Sequence, residues 1–478
     1  MKNKSRVCLA LNNKMNKEEQ PNLPNEDIIE TERRKKILSD RCRNFLRQRV
    51  PLSPKGQILR TQVEKVLQYN IDEDIAEIAQ ELPTVENMRL DLFEDVQLSE
   101  ENKKVVFGYP SLTCVQISDG CTHDCTMCGR EDKPLTHMSL ITIAKIGQEI
   151  EKSRIPVEKV WDDWAAHIQS ITGVNLDELG LDWIKEQVTE GFTDNGIKLI
   201  RTIEKEFYNH EISKYFEQPE KAPSPIVINR ENPRETFRDL NDFYPFSPLN
   251  FRRNLNIFNF SDPFDWRDTT LCHEDGQPAD LADAFQLLAT PLRPIFLSTT
   301  GWQENDPLGP IAARKLVELL KSKDYLLYKA IRISVSPTEG LARKDLNRYR
   351  EHMKKVILGL EGIPLNLVIR VEREDSPAKE DFEKLVRIPL IEFMNGLKAN
   401  SGMDEAHQNF FYQVQTRSIN RWKDRAINPE WEKETDSGAC MGGVHILTDS
   451  EVAIQPGSRY KYPPKGSRPK RTGLKLYK

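Results

Sequence analysis

The stretch Ser118-Asp119-Gly120-Cys121-Thr122-His123-Asp124-Cys125-Thr126-Met127-Cys128-Gly129 decides how this sequence is read. It follows an alternating run, Leu112 to Ser118, in which Cys114, Gln116 and Ser118 share one side of an extended chain and Val115 and Ile117 the other. By composition alone, eight Cys in 478 residues give a C-x3-C-x2-C spacing in on the order of two in a thousand such chains. Three thiolates on a short loop hold three irons of a cubane and leave the fourth iron without a protein ligand. Zinc is the competing occupant, with His123 inside the loop as a fourth ligand. Structural zinc sites usually pair two half-motifs, however, and no second C-x2-C occurs in the chain.

Outward from the cysteines, strand and helix patterns alternate as in successive βα units over a parallel sheet. The strand candidates are Leu112 to Ser118, Leu255 to Ser261, Ile295 to Thr300, Ala330 to Ser336, Leu365 to Glu372 and Phe410 to Ser418. Helical patterns begin near Ser139, Asp280, Pro307, Leu341 and Lys379. Each strand has one polar side: Asn259 and Ser261, Ser298 and Thr300, Arg332, Ser334 and Ser336, Arg370 and Glu372, and Gln413, Gln415 and Arg417. Helix-covered faces should be apolar, so these polar rows are expected to face a lumen.

The first two strands lie about 135 residues apart, where one βα unit needs roughly 30, so an insertion is expected. Val157, Val160, Trp161, Trp164 and Ile168 share a helical face, as do Ile197, Ile200, Ile203 and Phe207. A Pro- and aromatic-rich stretch follows, Ala222 to Arg253, read either as packing against the barrel wall or as a lid.

The expected organisation is 1–104 as a disordered start and N-terminal helical region, 105–150 plus 251–420 as the core, 151–250 as a mostly helical insertion, 421–458 as a C-terminal hairpin region, and 459–478 as a basic flexible tail. The hairpin, Val444 to Ile454 with its turn near Asp449 and Ser450, is expected to close the open end of the barrel.

Net charge is -5, but Arg459 to Lys478 carries eight Lys or Arg and no acid, so the rest carries -5 - 8 = -13. That balance argues against general polyanion binding; the tail reads as solvated, or as an arm for an acidic partner, the one hint of nucleic acid. No run of eighteen apolar residues and no export signal appears, which makes the cytoplasm the expected compartment and no membrane the expected setting.

A C-x3-C-x2-C loop after the first strand of a parallel βα series resembles the radical S-adenosylmethionine (radical SAM) superfamily, over roughly Val105 to Glu149 and Leu255 to Ile419. The resemblance implies an α/β fold, a partial (β/α)6 parallel barrel of the TIM type. It also implies a [4Fe-4S] cluster on Cys121, Cys125 and Cys128 that reductively cleaves S-adenosyl-L-methionine, forming a 5'-deoxyadenosyl radical that abstracts hydrogen from a substrate. An electron donor such as flavodoxin or ferredoxin is implied with it.

In the family a Gly-Gly-Glu stretch ending strand two holds the methionine ammonium; this chain has Phe260-Ser261-Asp262-Pro263 instead. Ser261 and Asp262 are therefore cofactor-binding candidates, with Ser334, Ser336 and Arg370 for ribose or carboxylate. Cys272 and Cys440 are candidate hydrogen donors or nucleophiles, and Arg252, Arg253, Trp266 and Arg267 candidate pocket residues. Outside the triad no two Cys are closer than 34 residues, so a single cluster is expected. The rival readings are a non-catalytic iron-sulfur or zinc-binding module and a SAM-binding sensor homologue.

Overall fold

The structure, a computed structural model, describes residues 26–48, 52–69, 77–78, 80–108, 111–123, 134–153, 157–179, 200, 202–204, 213, 217–221, 254–257, 261–290, 293–323, 326–327, 330–336, 343–372, 377–419, 443–455 and 470–477. Two N-terminal helices, α1 (Glu26–Leu46) and α2 (Pro54–Tyr69), realise the expected helical region, and α3 (Glu100–Phe107) leads into the sheet. Ser99 caps α3 by accepting the Asn102 amide.

The alternating run becomes β1 (Leu112–Val115) and, after a break, β2 (Ser118–Asp119). Beyond the cysteine loop β3 (Thr136–His137) pairs back on β2, and α4 (Leu140–Lys152) begins at the Ser139 cap. The insertion opens with α5 (Val157–Thr172), whose Val160, Trp161, Trp164 and Ile168 are buried as the periodicity predicts. The stretch Ala222 to Arg253 lies outside the described residues.

Next come β4 (Leu255–Asn256), the hairpin of β5 (Asp268–Cys272) and β6 (Pro278–Ala279), and α6 (Leu281–Leu288) with an Asp280/Asp283 capping box. Then follow β7 (Ile295–Phe296), β8 (Ser298–Thr299), α7 (Gly309–Ser322), β9 (Ile331–Val335), α8 (Arg343–Gly359), β10 (Leu365–Glu372), α9 (Pro377–Phe382), α10 (Ile388–Asn400) and α11 (Glu405–Phe411). The last strands are β11 (Tyr412–Ile419), β12 (Gly443–Ile446), β13 (Glu451–Gln455) and β14 (Lys470–Lys475).

Strands β1, β4 and β7 pair in parallel, and so do β8, β9, β10 and β11. The two ladders meet at Leu297, between β7 and β8, whose carbonyl accepts the Arg332 amide at 3.0 Å. Helices α4, α6, α7, α8 and α10 lie side by side in chain order, as the strands do. Leu297, Ile331, Ile333, Val335, Leu365, Leu367 and Ile369 are fully buried and share one apolar core with Ala313, Leu316, Val356 and Leu390 of these helices. Each such side chain is worth roughly 1.5–3 kcal/mol of burial, which fixes the register because a one-residue slip would turn the row over. The result is a mixed α/β fold with helices over parallel strands.

Three expectations are corrected. The sixth strand begins at Tyr412, because Asp404 caps α11 by accepting the His407 amide at 3.0 Å and Phe410 and Phe411 finish that helix. The hairpin of β12 and β13 forms, but β12 pairs in parallel with the outer edge of β1 and so extends the sheet sideways. The basic tail is not flexible throughout: β14 pairs antiparallel with β13, and Leu476 and Tyr477 are buried. Among the described residues no helix is long and apolar enough to cross a membrane.

Candidate functional site

The cysteine loop leaves the sheet at the C-terminal end of β1. Its neck is closed by the β2–β3 ladder, with Ser118 opposite His137 and Asp119 opposite Thr136. Gly120 turns the chain at φ 84°, a backbone that L side chains rarely adopt. Cys121 follows, half-buried and in no disulfide. Cys125 and Cys128 lie outside the described residues, and among the described residues no three His, Cys, Asp or Glu side chains gather as a metal site.

The segment that follows strand two, Ser261 to Asp268, grips both ends of this loop. On the incoming side Ser118 Oγ donates to Ser261 Oγ at 2.9 Å, and the Asp265 carboxylate accepts the Thr122 amide at 2.8 Å and its hydroxyl at 2.6 Å. On the outgoing side Trp266 Nε1 donates to the Met138 carbonyl at 2.9 Å, and Asp268 accepts the Leu140 amide at 2.5 Å. Three aspartates three residues apart thus do different work. Asp262 ties strand two to strand three, Asp265 holds the loop's entry, and Asp268 holds its exit at the start of α4.

The end of strand three adds a second grip. His123 Nε2 lies 3.0 Å from the Gly301 carbonyl, which only accepts, so Nε2 carries the proton. Nδ1 then accepts from Gln303 Nε2 at 3.3 Å, and the same amide reaches the Thr122 carbonyl at 3.1 Å. With both ring nitrogens engaged, His123 is directed away from the metal role that a zinc site would give it. Its own backbone N–H points at Cys121 Sγ, 3.4 Å away. Gly301 sits at φ 89°, and a Cβ there would come within 2.6 Å of Val356, so the carbonyl that receives His123 depends on glycine.

Asp262, a candidate for the cofactor's ammonium, is committed elsewhere. Its carboxylate accepts the Thr299 hydroxyl (2.6 Å), the Thr300 amide (2.6 Å), the Thr300 hydroxyl (2.8 Å) and the Phe264 amide (3.0 Å). Four donors fill its lone pairs, so the carboxylate is not free for an ammonium and serves to join two strand ends. Burial pushes its pKa up.

Ser334 on β9 and Ser336 just past its end are buried, and the Ser336 backbone is bracketed by the Tyr349 hydroxyl, which donates to its carbonyl at 3.1 Å. Register puts Ser298, Arg332, Asn366 and Gln413 in one row across β8 to β11, and Arg370 beside Arg417 two steps further, on the side opposite the apolar core row. Arg332 stacks over the Phe296 ring at 5.2 Å, and Arg417 donates to Gln415 Oε1 at 3.0 Å. The polar face inferred from alternation is therefore buried or half-buried throughout these strands.

Other candidates separate from the site. Cys272 is packed under α1, accepting from Asn44 Nδ2 at 3.3 Å, and burial raises its pKa, which suits a structural thiol and not a nucleophile. Cys114 is likewise sealed, pushed up to about 12 by burial. Trp266 and Arg267 serve the backbone instead of a pocket; Arg267 donates to the Phe264 carbonyl at 3.0 Å and pairs with Asp306 at 3.4 Å. Cys440, Arg252 and Arg253 lie outside the described residues. Asp265, Asp268, Thr299, Gly301 and Gln303 were not expected; the Asp262, Asp265, Asp268 spacing was a signal for the two aspartates alone. Comparison with known proteins found no family model, curated protein or solved structure that matches the chain.

Proposed function

We propose that this chain is a radical SAM enzyme, with a [4Fe-4S] cluster on Cys121, Cys125 and Cys128 and S-adenosylmethionine beside it, and that β1, β4, β7–β8, β9, β10 and β11 form the wall of a partial barrel. The observation that carries the reading is the cysteine loop at the C-terminal end of the first parallel strand, held by the exits of strands two and three. Ligands of open parallel sheets collect at that end.

Cys121, the one described donor of the three, suits the cluster. Cys121 offers a half-buried sulfur outside any disulfide that already receives an N–H, and both ring nitrogens of His123 are engaged elsewhere, which favours a three-thiolate site over zinc with a histidine. When bound, the cluster would supply the electron that cleaves the cofactor's sulfonium, and hydrogen would then be taken from a substrate. The chain's own part is to hold and exclude. Ser334, Ser336 and Arg370 line a buried polar face suited to ribose and carboxylate, and the apolar row behind them keeps the wall rigid and dry. With Asp262 saturated, the cofactor's ammonium is left to backbone carbonyls near Ser261. An electron donor such as flavodoxin or ferredoxin belongs to this reading.

Anaerobically reconstituted protein should contain roughly four irons and four sulfides per chain. Changing Cys121, Cys125 and Cys128 to Ala should abolish both, and reduced protein given S-adenosylmethionine should release 5'-deoxyadenosine and methionine. Stoichiometric zinc without sulfide would overturn the reading in favour of a zinc module. A full cluster with no cleavage under strong reductant would overturn the enzymatic half and leave a cofactor-binding sensor.

A further inference from the structure

We propose that Asp265, Gln303 and the Gly301 carbonyl form a clamp that aims the His123 backbone N–H at the Cys121 sulfur, setting both the loop's grip on its cluster and the cluster's reduction potential. The inference rests on the cluster reading above.

The peptide between Thr122 and His123 is a plane with its carbonyl and N–H pointing in opposite directions. Gln303 Nε2 holds the carbonyl at 3.1 Å, so the N–H must face the other way, where Cys121 Sγ lies 3.4 Å off. Asp265 fixes the preceding peptide by accepting the Thr122 amide at 2.8 Å, and it fixes the Thr122 side chain at 2.6 Å. The Thr122 hydroxyl in turn accepts from Gln303 at 3.1 Å, which joins the two halves of the clamp. His123 is pinned beyond the peptide through Nε2 to Gly301 at 3.0 Å. Two residues of the loop are thereby immobilised by two different strand exits, and the one backbone donor they leave over points at a cluster ligand.

An N–H donated to a cluster sulfur favours the more negative, reduced state and raises the potential. Groups that orient metal ligands from behind typically change metal affinity 10–100-fold when lost. Asp265 and Gln303 are thus positioning residues that act through Thr122 and His123.

The test uses the full chain, reconstituted anaerobically, as wild type, Asp265→Asn, Gln303→Leu, Thr122→Val and Thr122→Ser. Iron loss to a chelator is timed and the midpoint potential is measured by redox titration, with thermal unfolding as a check on the fold. Asp265→Asn and Thr122→Val should lose iron about tenfold faster, Gln303→Leu should shift the potential to more negative values, and Thr122→Ser, which keeps the hydroxyl, should match wild type. If Asp265→Asn does not fold, the Thr122 pair and Gln303→Leu decide. Loaded variants with wild-type iron loss and potential overturn the clamp, whereas a wild type that takes up no iron and sulfide overturns the cluster reading beneath it.

Discussion

Asp262, a buried residue, collects four hydrogen bonds on two oxygens, and three of its donors come from Thr299 and Thr300, at the end of the next strand. Removing the carboxylate leaves two amides and two hydroxyls buried without an acceptor, so Asp262→Ala should cost roughly 3–5 kcal/mol in denaturant unfolding. Loss of under about 1 kcal/mol would mean that these donors find other partners. This residue shows where the sequence runs out. Its place at the end of strand two was legible from alternation and from the Pro263 that follows, and it invited a cofactor role. Its actual partners sit 37 and 38 residues away. Only the register of two strands brings them near, and register between short strands has no local sequence signal. Asp265 was missed for the same reason, since its partner Thr122 is 143 residues distant.

At the scale of elements, the β5–β6 hairpin is the unexpected piece. It interrupts the unit between strand two and α6, and the N-terminal region docks on it: Val85 donates to the Cys272 carbonyl at 3.1 Å, and Gln48 donates to the Thr270 carbonyl. His273 fastens the join, with Nδ1 2.6 Å from Glu86 and Nε2 3.1 Å from Asp283. The bond to Asp283, against burial and with help from the Asp283 charge and the Glu86 bond, lifts its pKa from 6.5 to about 9; Lys315, 3.3 Å from Nε2, opposes. A folded pKa above the unfolded one gives stability that is complete below pH 6.5 and is lost as pH rises through about 9. That contribution is worth roughly 3 kcal/mol when full. Unfolding free energy should fall across this window in the wild type, and His273→Gln should flatten the slope; an unchanged slope would remove His273 as its source. The helices and parallel strands around this hairpin were readable because periods of 3.6 and 2 are written locally. The hairpin was not, because it lies beyond Ser261, where strand two was expected to end, and it offered only the lone Cys272 as a signal.

Across the whole molecule, the segment leading into α3 meets the C-terminal segment. The N-terminal region reaches the C-terminal strand through the Gln97 amide, which donates to the Leu476 carbonyl at 2.7 Å, and Lys145 of α4 pairs with Asp95 at 2.7 Å nearby. Eight positive charges with Pro and Gly disguised this segment as a solvated tail. Pairing with β13 hides the disguise, since Arg471 finds Asp449 at 2.6 Å and Glu451 beside it, and the apolar pair Leu476 and Tyr477 drops into the core. Tyr477 allows a sharp test. Tyr477 is 7% exposed, so Tyr477→Ala removes a buried aromatic where the C-terminal segment docks and should cost about 3–5 kcal/mol. Its hydroxyl is buried and has no hydrogen-bond partner among the described residues, and burial, with Asp95 and Glu149 nearby, raises its pKa. A buried hydroxyl without a partner opposes folding. Tyr477→Phe should therefore leave stability unchanged or raise it by up to about 1 kcal/mol, while keeping the ring. Thermal and denaturant unfolding of the two variants read this directly. A flexible tail predicts no effect from either change, and a hydrogen-bonded tyrosine predicts loss from both, so only the docked strand gives a large loss with Ala and none with Phe.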